Sequence, residues 1–232
     1  MVYLTEIRIH DETSGRFAPF KASVNCVLKL FARLIKRKLI TQNVRTVNVY
    51  VNLNPETHFS YTIKGGSVTI YYDFSQLNYS DSDTFYKRKK VVLDIIYNVL
   101  GYVASNETWD IDVVMDTYNK CLELKIQNEW WFKDKLFTSP GRLYKAGLYH
   151  IYDIDTFEIY IVLLDKNKNE LIRHLIFKDQ LNTFEIQQFS WIDKDKITYK
   201  FKGPDKKFVY SVQDLLNSHV NELPEKIDLL FQ

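Results

Sequence analysis

Apolar side chains run almost unbroken from Val91 to Ala104, interrupted only by Asp94 and Asn98. Those two lie four residues apart, so on a helix they share one stripe with Lys90 and Ser105 while every other face is apolar. Such a helix is predicted to be enclosed by its neighbours. It is about fourteen residues long and carries a charge, whereas a membrane span takes about 20 apolar residues.

Elsewhere the hydrophobic periods separate strands from helices. Tyr3, Thr5, Ile7 and Ile9 alternate with Leu4, Glu6 and Arg8, the two-residue period of a half-buried strand. Pro19 suits the first turn of a helix, predicted to run to about Leu39. Its apolar face is Val24, Val27, Leu28, Phe31, Leu34, Ile35 and Leu39, and Lys21, Lys29, Arg33, Lys36 and Arg37 take much of the other side. Further strands are predicted at Val44–Val51, His58–Ile63 and Ser67–Phe74, the last two joined by a tight turn through Gly65-Gly66. Ser82 is the expected N-cap of the enclosed helix, with Asp83 in its first turn. A third helix is expected from Asp110 to about Ile126, with Ile111, Val114, Met115, Tyr118 and Leu122 on one side.

From Trp130 the pattern changes to short aromatic and β-branched runs broken by polar turns. Thr156-Phe157-Glu158-Ile159 recurs 27 residues later as Thr183-Phe184-Glu185-Ile186. Each copy is followed by a strand, a polar turn (Asp165–Asn169, Asp193–Lys196) and a returning strand (Leu171–Phe177, Ile197–Phe201), as in stacked hairpins. Phe208–Val212 adds a strand, Gln213–Val220 a short helix, and Pro224 ends regular structure. The fold class expected is α+β: an N-terminal βαβββαα half, residues 1–128, followed by a mainly antiparallel β-meander half with a short helix, residues 129–232.

Composition narrows the function classes. Hydrophobic residues at 46% and aromatics at 15% exclude a disordered chain, and 7 Gly leave little material for phosphate-cradling loops. The net charge of +2 is too small for a global field toward nucleic acid or membrane, although the first sixty residues hold nine Lys/Arg against four Asp/Glu. Cys26 and Cys121 fall on predicted helices without a CxxC partner or a nearby His, which reads as two buried small hydrophobes. The N-terminal MVYLTEIRIHDE alternates and carries charges, unlike a signal peptide. A cytoplasmic protein is expected.

The chemistry-bearing residues form no motif. His10, His58, His150, His174 and His219 are scattered singly, without metal-ligand spacing. No GxSxG elbow is present. Neither a metal site nor a cofactor is expected, and the chain reads as a binding protein more than an enzyme. Four acidic pairs, Asp81/Asp83, Asp110/Asp112, Asp153/Asp155 and Asp193/Asp195, have the composition of a Mg²⁺ site for phosphodiester cleavage. Each also sits where a cap or turn is expected, and Asp is favoured there for backbone hydrogen bonding. Asp112 followed by Glu123 and Lys125 is similar to a metal-dependent nuclease signature. On the predicted helix, however, positions two apart diverge by about 200°.

The order helix, three strands, helix over Pro19–Ala104, with Lys87-Arg88-Lys89-Lys90 opening the second helix, resembles the topology of double-stranded RNA-binding domains. That resemblance implies a lysine cluster gripping phosphates across a groove. It makes nucleic-acid binding, through Lys29, Arg33, Lys36, Arg37, Lys87, Arg88, Lys89 and Lys90, the alternative reading. The primary reading comes from the aromatics of the second half, since Tyr and Trp are the preferred anchors of protein interfaces. A non-catalytic protein-binding module is expected, of the kind that neutralises a partner as immunity proteins do, with Trp191, Tyr199, Asp193 and Asp195 as its contact residues.

Overall fold

A computed structural model of the chain describes residues 1–11, 18–52, 59–73, 84–179, 185–203 and 206–218. It comprises two compact units, Met1–Asn128 together with Tyr152–Asp155, and Glu129–Ile151 together with Thr156–Gln232. The secondary structure is a mixture of helices and mainly antiparallel sheets, an α+β fold ending in a β-meander. His58, Asp81, Ser82, Asp83, Thr183, Phe184, His219 and Pro224 lie outside the described residues.

In the first unit the predicted N-terminal strand is two pieces, β1 (Val2–Tyr3) and β2 (Glu6–Asp11). Helix α1 (Ala18–Ile35) leads to β3 (Ile40–Thr41) and β4 (Thr46–Asn52). The hairpin β5 (Phe59–Lys64) and β6 (Ser67–Asp73) follows. Gly65 and Gly66 make its turn at φ 59° and 79°, values open to glycine without steric cost. β1 pairs with β3. The main sheet has the order β2-β4-β6-β5. β2, β4 and β6 are parallel, and only β5 runs against its neighbour.

One face of that sheet, Val47, Val49, Val51, Val68 and Ile70, is at most 1% exposed. It meets α1, α2 (Phe85–Glu107) and α3 (Ile111–Glu123) in one core. At about 1.5–3 kcal/mol per fully buried aliphatic side chain, this core is the main source of the unit's stability. α2 is the enclosed helix, with Val92, Leu93, Ile96, Val99, Leu100 and Val103 at 0% exposure. Its N-cap is Thr84, whose side chain accepts from the Lys87 amide, where Ser82 was expected. It closes at Thr108, held in the left-handed region at φ 56°. α1 stops at Ile35, short of Leu39, because Arg37 turns the chain at φ 60°.

The second unit holds two sheets. β7 (Asn128–Trp131), β8 (Phe137–Thr138), β9 (Tyr144–Tyr152), β10 (Phe157–Asp165) and β11 (Glu170–Asp179) form one, in the order β11-β10-β9-β7 with β8 also on β9. β12 (Ile186–Trp191), β13 (Lys196–Phe201) and β14 (Lys207–Ser211) form the other, and α4 (Val212–Asn217) follows. The sheets meet through ring contacts, Phe137 with Phe189 at 5.3 Å and Phe177 with Phe201 at 5.8 Å. Ile161 to Leu164 on β10 are all fully buried, so this strand is covered on both faces. On its second face Trp131, Tyr149, Val162 and Leu164 form a smaller cluster with Leu136 packed against it. Gly147 permits this packing, since a Cβ there would meet Trp131 at 2.8 Å and Leu136 at 2.9 Å.

Candidate functional site

The expected protein contacts on β12 and β13 are placed unequally. Tyr199 is 2% exposed and stacks on Phe208 at 5.0 Å and 8°, so it is a core residue of the three-stranded sheet. Alternation puts Tyr199 and Phe201 on one face, and pairing with Phe208 on β14 makes that face the inner one. Trp191 is half-buried and donates its indole N–H to the Phe137 carbonyl at 2.8 Å. Asp193 accepts from the Asp195 amide at 3.0 Å. That bond belongs to the turn between the strands.

The basic residues are divided in the same way. Lys89 is buried and pairs with Asp153 at 2.8 Å. Lys90 pairs with Asp94 at 2.6 Å, which also accepts from the Tyr118 hydroxyl at 2.7 Å. Lys89 and Lys90 are thus committed to carboxylates, Arg88 is half-buried and Lys87 is exposed. On α1, Lys29 lies 4.9 Å from the Tyr152 ring centre and Arg33 donates to Asn128 at 3.4 Å. Lys36 and Arg37 are exposed. The likeness to double-stranded RNA-binding domains ends at element order, because β5 lies outside β6 instead of following β4 in space.

The three acidic pairs among the described residues serve caps and turns. Asp110 caps α3 by accepting from the Asp112 amide at 3.0 Å, and Asp153 accepts from the Ile154 amide at 2.6 Å. Glu123, on the last turn of α3, pairs with Lys120 at 2.7 Å. Among the described residues no group of three or more His, Cys, Asp or Glu could hold a metal ion. Cys26 and Cys121 are buried, and burial pushes both thiols up to about 12, which leaves them in the unreactive thiol form at neutral pH.

A third cluster lies on the second face of the five-stranded sheet. Arg173 pairs with Glu170 through two nitrogens at 3.0 Å and stands over Tyr149 and Tyr160, 5.0 and 5.8 Å from their ring centres. The Tyr149 hydroxyl donates to Glu129 and the Tyr160 hydroxyl to Glu158. Burial works to raise the Glu158 carboxyl, but hydrogen bonds from Lys178 and Tyr160 outweigh it and hold the group below its ordinary range. Each polar group here answers another, as a structural network requires.

The surface that sequence reasoning missed is the other face of the four-stranded sheet. Register places its residues in rows. His10, Tyr50, Tyr71 and Ser60 lie across β2, β4, β6 and β5, and Arg8, Asn48, Thr69 and Thr62 lie beside them. Arg8, Tyr71, Ser60, Thr62 and Lys64 are exposed, and His10, Asn48, Tyr50 and Thr69 are half-buried. His10 stacks on Tyr50 at 4.7 Å and 20°, and Tyr50 on Tyr71 at 5.4 Å and 26°. The rings therefore form one file across three parallel strands. Glu6 and Arg8 on this face pair with each other at 2.6 Å. Alternation alone pointed Tyr50 and Tyr71 away from the Val47–Val51 and Val68–Tyr72 faces; only the parallel register reveals that they meet.

No helix among the described residues is long and apolar enough to cross a membrane. Comparison with protein-family models, with curated proteins and with solved structures found no match to this chain.

Proposed function

We propose that the chain is a non-catalytic, cytoplasmic protein-binding module whose partner docks on the open face of the four-stranded sheet. The observation that carries this reading is the file His10–Tyr50–Tyr71 across parallel strands, with Tyr71 exposed and His10 and Tyr50 half-buried. Parallel strands are ordinarily covered on both faces, so an exposed parallel face with aromatic rings is the kind of surface a partner covers. Tyr offers a large, rigid, amphipathic contact at low entropic cost. The rings turn their faces toward one another, whereas stacking of nucleobases needs free ring faces. That geometry, with the Glu6–Arg8 charges already paired, favours a protein over a nucleic acid. Capping a partner's working surface in this way, as an immunity-type inhibitor does, requires no chemistry from the module itself.

The test is a titration of the partner captured by the intact protein, comparing the natural chain with a Tyr50→Ser/Tyr71→Ser variant. Hot-spot aromatics commonly contribute about 2 kcal/mol or more to binding, so affinity is expected to fall at least about tenfold while the unfolding midpoint changes little. Unchanged affinity in a folded variant overturns the assignment.

A further inference from the structure

A second site lies in the first unit, at the edge strand β2 beside α1. A cleft of about 540 Å³ opens beside the last turn of α1, lined among others by Tyr3, Thr5, Ile35, Arg33, Lys36 and Arg37. That volume is in the range that encloses a small-molecule ligand, about 300–1,000 Å³.

Its charge is lopsided. Lys36 and Arg37 line it against one carboxylate, Glu6, which is paired with Arg8 at 2.6 Å; Arg33 also lines it but its guanidinium donates to Asn128. Lys36 and Arg37 are exposed, and neither forms an ion pair with another described residue. Cations after a helix C-terminus do complement its dipole, which accounts for their being tolerated there. The dipole is worth about half a charge, so Lys36 and Arg37 together leave positive charge unanswered in the cleft. Arg guanidinium groups match phosphate geometry with paired N–H donors, and Lys adds a mobile point charge.

The rest of the lining is different in kind. Leu4, Ile7, Ala32 and Ile35 give apolar wall, and Tyr3, 45% exposed, brings an aromatic ring to it. A ligand satisfying both halves is anionic at one end and flat and largely apolar at the other. We infer that this cleft binds a nucleoside phosphate, with the phosphates against Lys36 and Arg37 and the base against Tyr3.

Calorimetric titration of the full chain with ADP tests this, alongside adenosine and inorganic phosphate as partial ligands and Lys36→Glu/Arg37→Glu and Tyr3→Ala as variants. Both variants alter exposed side chains, and their unfolding midpoints are checked first. ADP is expected to bind at one site per chain and at least tenfold more tightly than either partial ligand. Each variant is expected to weaken it at least tenfold. Absence of ADP binding at millimolar concentration overturns the inference. So does binding that survives both variants, and so does phosphate binding as tightly as ADP, which would assign the site to the anion alone.

Discussion

His150 shows how a side chain capable of chemistry is turned into structure. It is 4% exposed on β9, stacked on Trp130 at 4.9 Å and 8° and 6.1 Å from the Phe157 ring. Burial pushes its pKa down to about 4, against a backbone hydrogen bond with Trp130 that works to raise it. The neutral ring is therefore the folded form at pH 7. A base with a depressed folded pKa contributes its full stability above the unfolded value near 6.5 and loses it as pH falls toward 4. The slope in that window is roughly 1.4 kcal/mol per pH unit for one proton. Urea unfolding at pH 7, 6 and 5 is expected to show a decline that is visibly shallower in His150→Phe, which keeps a ring in the stack. Parallel declines in the two proteins would mean that His150 is protonated alike in folded and unfolded chains. The sequence showed this histidine as one of five scattered singly; nothing in its spacing distinguished a buried, stacked ring from an exposed one.

At the scale of elements, α2 and the four-stranded sheet show what was legible and what was not. The enclosed helix could be read from its apolar run because burial on all sides leaves no polar stripe beyond Asp94 and Asn98. Lys89 was grouped with its basic neighbours, yet it shares a helical stripe with Leu93, Ile96 and Leu100, all fully buried, and that periodicity was the available signal. Its ammonium reaches Asp153 at 2.8 Å, with side chains 7% and 38% exposed respectively. Removing one partner of a buried pair costs about 3–5 kcal/mol. Solvent at Asp153 screens this pair, so Lys89→Ala is expected to cost about 1–3 kcal/mol in denaturant unfolding. Asp153→Asn, which keeps a polar acceptor for Lys89, should cost less. An unchanged midpoint for Lys89→Ala would mean that the pair adds nothing to the fold. In the sheet, alternation identified the strands and the glycine turn identified the β5–β6 hairpin. Parallel pairing of β2, β4 and β6 was hidden, because strand order depends on connections whose path no local period records. The aromatic file on the open face is a product of that pairing, and so it was hidden as well.

Across the whole molecule, the change in texture near Asn128 separated helix-rich from strand-rich sequence and made the α+β class legible. Two repeated hairpin patterns do appear, as β10–β11 and β12–β13, although they belong to different sheets. The proposed working surface lies in the first half, not at the β12–β13 residues that the sequence pointed to. Tyr199 was chosen from its residue type and alternation, and it lies in the core because β14 supplies Phe208 opposite it. Tyr50 and Tyr71 stand on strands whose alternating valines form the opposite, buried face.

The most direct measurement is hydroxyl-radical footprinting of the protein alone and in complex with its captured partner, read residue by residue at the aromatic and histidine side chains. The account predicts protection at His10, Tyr50 and Tyr71, with little change at Trp191. Full reactivity of His10, Tyr50 and Tyr71 in the complex, with protection at Trp191 instead, would contradict it and return the interface to the β12–β13 turn.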